Sequence, residues 1–136
     1  MALHIDIVPK WVRIVIGVLA FMNIAFGVMG YFDMTVLFPN ATGFDLTNTI
    51  FTSASFEFAA RNLAIGLALL IVALKGVPES IAIVTIIRAL IEIQTIIIAF
   101  VHGTFTSVLI LPVVLLGIEI FVILTLVKAI GKRDGK

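Results

Sequence analysis

The sequence predicts an all-α integral membrane protein, an up-and-down bundle of four transmembrane helices. Three observations predict it: the composition, four long apolar stretches, and the shortness of two of the connections between them. Apolar residues make up 62% of the 136 residues and charged residues only 12%, against roughly 45–50% and 25% in soluble domains. A soluble domain of this length leaves too much of its chain at the water boundary to hide such a surface. Lipid removes that difficulty by taking the place of water.

A transmembrane helix needs about 20 mostly apolar residues at 1.5 Å rise each. Four stretches meet this, about Trp11–Phe32, Ser55–Leu74, Ser80–Val101 and Ser107–Val127. The first run follows Met1–Lys10, which carries Asp6 and no basic cluster, and it lacks a small-residue cleavage site. It therefore reads as a retained helix and not as a cleaved signal peptide. The second and third runs are joined by Lys75-Gly76-Val77-Pro78-Glu79, a glycine stop and a proline restart. His102-Gly103-Thr104-Phe105-Thr106 joins the third and fourth in the same way. Connections this short make neighbours antiparallel. One domain over residues 1–136 is the simplest count, since no internal repeat or low-complexity tract is visible.

The basic residues orient the spans. Lys10, Arg13, Lys75, Lys128, Lys132, Arg133 and Lys136 all fall on one side of a four-span arrangement, and residues 33–54 with the His102 turn hold no lysine or arginine. The positive-inside rule then puts both termini of this multi-pass chain in the cytoplasm. The outer loop 33–54 contains Pro39, Gly43 and Asp45, interrupted by Val36-Leu37-Phe38, which suits a short interfacial segment. Asn40-Ala41-Thr42 matches a glycosylation sequon, a three-residue pattern common by chance.

Function is less legible. The net charge of +1 comes with no basic patch outside the termini, so nucleic acid is not an expected partner. With no cysteine, disulfides, thiolate metal sites and cysteine nucleophiles are excluded. A metal site is not expected either, because His4 and His102 belong on opposite sides of the membrane and no other ligands converge. Walker loops, nucleotide fingerprints, HExxH and nucleophile elbows are absent. No cofactor can be named.

The informative residues are Glu57, Arg61, Arg88, Glu92 and Glu119, ionisable groups inside the spans. An unpaired charge at mid-bilayer costs about 2.5–3.5 kcal/mol on insertion scales, so these five are expected to face one another. Thr85, Arg88, Glu92, Thr95, Ala99 and His102 recur at steps of three or four and form one stripe on the third helix. Glu57 and Arg61, four apart, share a face of the second.

Counting from the cytoplasmic ends gives depth. Arg88 lies nine residues from Glu79 and Glu119 nine from Lys128, so the two share a level. Arg61 lies fourteen from Lys75, Glu92 thirteen from Glu79 and Asn23 thirteen from Lys10, a second level further out. The expectation is a layered polar core. Arg88 pairs with Glu119 below; above, Arg61 bridges Glu92 and Glu57, with the Asn23 amide beside them. Two arginines against three glutamates leave a surplus carboxylate, which should carry a proton or recruit a cation or a basic ligand group. The plainer reading of the cluster is that it fixes helix register and topology. The sharper one is that it binds a ligand or handles protons.

Other residues suggest architecture. Gly17, Ala20, Gly27 and Gly30 on the first helix, with Ala60, Ala64 and Ala68 on the second, are small residues at helical spacing that permit close backbone approach. Pro112, two turns from Glu119 on the same face, is expected to kink the fourth helix beside the polar core. Trp11 and Tyr31 suit interfacial anchors at the two ends of the first helix. His102, at the membrane edge, fits an interfacial histidine better than a catalytic one. Gln94 lies off the polar stripe, where it could mark a contact to another subunit.

The run Arg61-Asn62-Leu63-Ala64-Ile65-Gly66-Leu67-Ala68-Leu69-Leu70, followed after a turn by Arg88-Ala89-Leu90-Ile91-Glu92, resembles small bacterial four-helix membrane proteins of the broad DoxX-like type. The likeness covers about two helices. It implies the four-helix fold and an accessory role beside a membrane redox system, and it carries over no catalytic residue.

Two readings of different class therefore stay open, and whether the chain is an enzyme is undecided. One is an accessory or interaction protein whose charges are structural and whose outer surfaces dock another membrane protein or a second copy. The other is a binder or converter of an apolar small molecule, a lipid, sterol-like compound or quinone, entering from the bilayer. There Glu57, Glu92 or Glu119 would hold a polar group or shuttle a proton. A weaker third is a proton-coupled transporter working as an oligomer.

Overall fold

A computed structural model describes residues 8–32, 49–101, 103 and 109–134. It contains four helices, α1 (Lys10–Phe32), α2 (Thr49–Lys75), α3 (Pro78–Val101) and α4 (Ile110–Asp134), and no strand among the described residues. Each carries an apolar stretch long enough to cross a bilayer, and only 22–33% of the residues in those stretches are buried. The remainder, with Phe21, Phe100, Val101 and Phe121 among the most exposed, is an apolar surface that only lipid solvates without cost. The chain is an all-α, multi-pass membrane protein.

Three helix ends differ from expectation by three residues or more. α2 begins at Thr49, six residues before the expected Ser55. The threonines and serines of this stretch read as loop, but their helix penalty is well under about 1 kcal/mol, less than an existing helix gains by extending. α4 runs to Asp134, past Val127, because Lys132 and Arg133 suit the negative end of the helix dipole. α4 also starts at Ile110, so Pro112 stands in its first turn. A proline there removes an N–H that has no helical partner, and it does not kink the helix interior as expected. The interfacial stretch Val36–Phe38, the Asn40 sequon and His102 lie outside the described residues.

The described helices form two compact units, residues Ile14–Ile71 and residues Met1–Arg13 with Val72–Lys136. In the first, α1 and α2 meet at two glycines. A Cβ placed on Gly27 would lie 2.7 Å from the Leu63 amide nitrogen and 3.0 Å from the Ala59 carbonyl oxygen. One placed on Gly66 would lie 2.7 Å from the Ile24 amide nitrogen and 3.0 Å from the Ala20 carbonyl oxygen. Backbone therefore packs on backbone, as small residues allow in membranes. The close face of α2 is Ala59, Leu63 and Gly66, not the expected Ala60, Ala64 and Ala68: Ala60 and Ala64 are exposed. Gly17 has nothing within 4 Å of a would-be Cβ and takes no part. Toward the far end of α1, the Tyr31 ring stacks on Phe56 with centroids 5.8 Å apart.

In the second unit the turn between α2 and α3 does what its residues dictate. Gly76 takes a left-handed φ of 67° and its amide donates to the Val72 carbonyl at 2.9 Å, ending α2. Pro78 then opens α3, with the Ile81 amide donating to the Val77 carbonyl at 3.0 Å. Arg13 reaches this turn, its Nε donating to the Ala73 carbonyl at 3.2 Å. Trp11 packs against Phe121 of α4 with ring centroids 5.4 Å apart. α3 and α4 run antiparallel: Glu79 in the first turn of α3 pairs with Arg133 in the last turn of α4.

A buried arginine–glutamate cluster on α3 and α4

Helical spacing puts Ile81, Thr85, Arg88 and Glu92 along one stripe of α3. Ile81 and Thr85 are fully buried, and the Thr85 hydroxyl is satisfied within the helix, donating to the Ile81 carbonyl at 2.7 Å. Arg88 follows. Its side chain is 6% exposed and forms ion pairs with two carboxylates. Nη2 donates to Glu92 Oε1 at 3.0 Å, one turn along the same helix, and Nη1 pairs with Oε1 of Glu119 on α4. The Glu119 side chain is fully buried and that of Glu92 is 15% exposed. One guanidinium thus lies between two carboxylates, the arrangement its fork of N–H donors suits.

The lower pair forms as the depth count requires: Arg88 and Glu119 stand at one level and meet. Of the upper layer, the part inside the Ile14–Ile71 unit, Arg61 with Glu57, forms no ion pair among the described residues. Glu92 turns to Arg88, its own-helix neighbour four residues back. Glu57 and Arg61 are exposed on α2, and the Arg61 guanidinium lies 5.9 Å from the centroid of the Phe58 ring. Neither has an ion-pair partner among the described residues. Asn23 is buried but donates to the Leu19 carbonyl of its own helix at 2.7 Å, so its amide is spent locally. The stripe loses its buried character beyond Glu92. Thr95 is exposed and donates to Ile91, while Ala99 is buried again. Gln94 is exposed, off the stripe as its spacing requires.

The cluster works as a fastening. Each charge buried in low dielectric is costly alone, and removing one partner of such a pair costs about 3–5 kcal/mol because the other charge stays behind uncompensated. Holding Arg88 against Glu119 therefore ties α3 to α4 at one register. Two buried atoms are left over: Arg88 Nε and Glu119 Oε2 have no hydrogen-bond partner among the described residues. A second α3–α4 tie, Arg133 with Glu79, was not anticipated. An acid in the first turn of one helix and a base in the last turn of its antiparallel neighbour are the signal that points to it. Among the described residues no three His, Asp or Glu side chains converge as a metal site. Comparison with family models, with curated proteins and with solved structures finds no match to this chain.

Proposed function

We propose that this chain is an accessory or interaction subunit of a membrane, with a buried charge network that holds its helices in register and outer surfaces that dock a membrane partner or a second copy. The observation that carries this reading is the double engagement of Arg88. Its charge is taken up by Glu119 and Glu92, fastening α3 to α4. The DoxX-like resemblance of residues 61–70 and 88–92 agrees with an accessory role, beside a membrane redox system.

On this reading both termini lie in the cytoplasm, supported by the one-sided distribution of Lys10, Arg13, Lys75, Lys128, Lys132 and Arg133. Because the chain has no cysteine, Lys132→Cys introduces a sole thiol. A membrane-impermeant maleimide should label it only after the cells are opened; labelling of intact cells would reverse the orientation.

A second reading, binding or conversion of an apolar small molecule, is favoured by one observation, the buried Glu119 Oε2, which has no hydrogen-bond partner among the described residues. A ligand hydroxyl or amine could donate to it. Native mass spectrometry from mild detergent separates the two. The accessory reading expects a protein partner or a second copy and no retained small molecule. A stoichiometric small-molecule adduct that Glu119→Gln abolishes would overturn it in favour of the ligand reading.

A further inference from the structure

Beyond the buried cluster, the second unit gathers bases at the end where α2 stops and α3 starts. Arg13 holds the turn there, with Nε on the Ala73 carbonyl and Cζ 3.7 Å from where a Gly76 Cβ would stand. Lys10, one turn earlier on that face of α1, and Lys75, next to Gly76, are exposed. Lys128 of α4 stands at the same level: Glu119 meets Arg88, and Lys128 lies nine residues from the one as Glu79 does from the other. It is exposed too. Glu79 is paired with Arg133, whereas Lys10, Arg13, Lys75 and Lys128 have no ion-pair partner among the described residues. An apolar wall adjoins these bases. The Trp11 ring, next to Lys10 in the chain, packs on Phe121, and Phe121, Leu124 and Lys128 follow at steps of three and four along one exposed stripe of α4.

We infer that the start of α1 and the end of α4 form a binding site for an anionic phospholipid. Its phosphate is held by Lys10 and Lys128, and its acyl chain lies along Trp11, Phe121 and Leu124. Arg13 and Lys75 add to the positive field that draws the headgroup in, as clustered bases beside a span do at an anionic membrane surface. The argument is the juxtaposition of charge and wall. A free anion would use the bases and leave the wall bare. A zwitterionic lipid would use the wall and bring its own cation against the bases. An anionic phospholipid carries both matching parts in one molecule, and the membrane-spanning fold sets both at the depth where headgroup gives way to hydrocarbon. This site goes beyond the interaction-subunit reading and does not depend on it.

Trp11 is the sole tryptophan of the chain, so its fluorescence reports on the lipid beside it. The protein is reconstituted in phosphatidylcholine vesicles holding a minor fraction of phosphatidylglycerol brominated on its chains, or the same fraction of brominated phosphatidylcholine. The expected result is stronger quenching by the brominated phosphatidylglycerol. Lys10→Gln and Lys128→Gln should each lower that preference about fivefold, the worth of one base near an anionic surface, and Lys10→Arg and Lys128→Arg should keep it. Equal quenching by the two lipids overturns the proposal, as does a preference that both glutamine variants leave intact. Inorganic phosphate is then added against chloride at equal ionic strength. If phosphate relieves the quenching and chloride does not, the site takes a free anion and the lipid assignment fails. A lipid held here survives Glu119→Gln, which separates it from a ligand at the buried cluster.

Discussion

Gly66→Ala isolates the packing of α1 on α2. The added Cβ would stand 2.7 Å from the Ile24 amide nitrogen, 2.7 Å from its Cγ1 and 3.0 Å from the Ala20 carbonyl oxygen. The Cγ1 can rotate away; the two backbone atoms cannot. Restoring ordinary contact at 3.4 Å means parting the helices by the difference from 2.7 Å, some 0.7 Å, along a seam that also contains Gly27. Forced separations of this kind in packed interiors cost about 1–3 kcal/mol, offset by the gain of up to about 1 kcal/mol that alanine brings to a helix over glycine. Gly17→Ala is the internal reference, since nothing lies within 4 Å of its would-be Cβ and only the gain remains. The two variants should therefore differ by roughly 1–3 kcal/mol, the overpacking cost itself, with Gly17→Ala at or above the parent. Unfolding in mixed micelles titrated with a denaturing detergent and followed by helicity reads that difference. Equal stability of the two variants would refute the close crossing.

Two further predictions concern the second unit. Gly76→Ala has room for its Cβ, whose nearest neighbour is Arg13 Cζ at 3.7 Å, so its cost is that of a left-handed backbone at φ 67°, about 1–2 kcal/mol. Gly76→Asn, which tolerates that conformation better, should recover part of it in the same titration. Arg133→Gln breaks a pair whose partners are 31% and 38% exposed, so the loss should stay below about 1 kcal/mol and shrink with added salt. A larger, salt-insensitive loss would mean that this pair is shielded from solvent.

What the sequence made legible follows from which physical signals are one-dimensional. Apolar run length and the Gly76–Pro78 turn locate helices directly, because a span and a chain reversal are local requirements. The Arg88–Glu119 pair was legible too, since counting from the ends of antiparallel neighbours fixes height. Azimuth between helices is different. Periodicity says that Glu57 and Arg61 share a face, and says nothing about which neighbour that face meets. It therefore could not reveal that α2 turns Ala59 and Gly66 toward α1 and leaves Ala60 and Ala64 exposed. For Glu92 the competing partner was visible at four residues from Arg88. An own-helix neighbour needs no docking of another element, and the Arg88–Glu92 pair forms.

The central claim, that Arg88 fastens α3 to α4 through Glu119, is tested most directly by a double-mutant cycle on stability with Arg88→Met, Glu119→Leu and both together. Each single change should cost about 3–5 kcal/mol, and the double should recover part of that loss, because the charges of the Arg88–Glu119 pair are removed together and only Glu92, 15% exposed, loses its partner. Harmless single changes, or losses that simply add, would contradict the account.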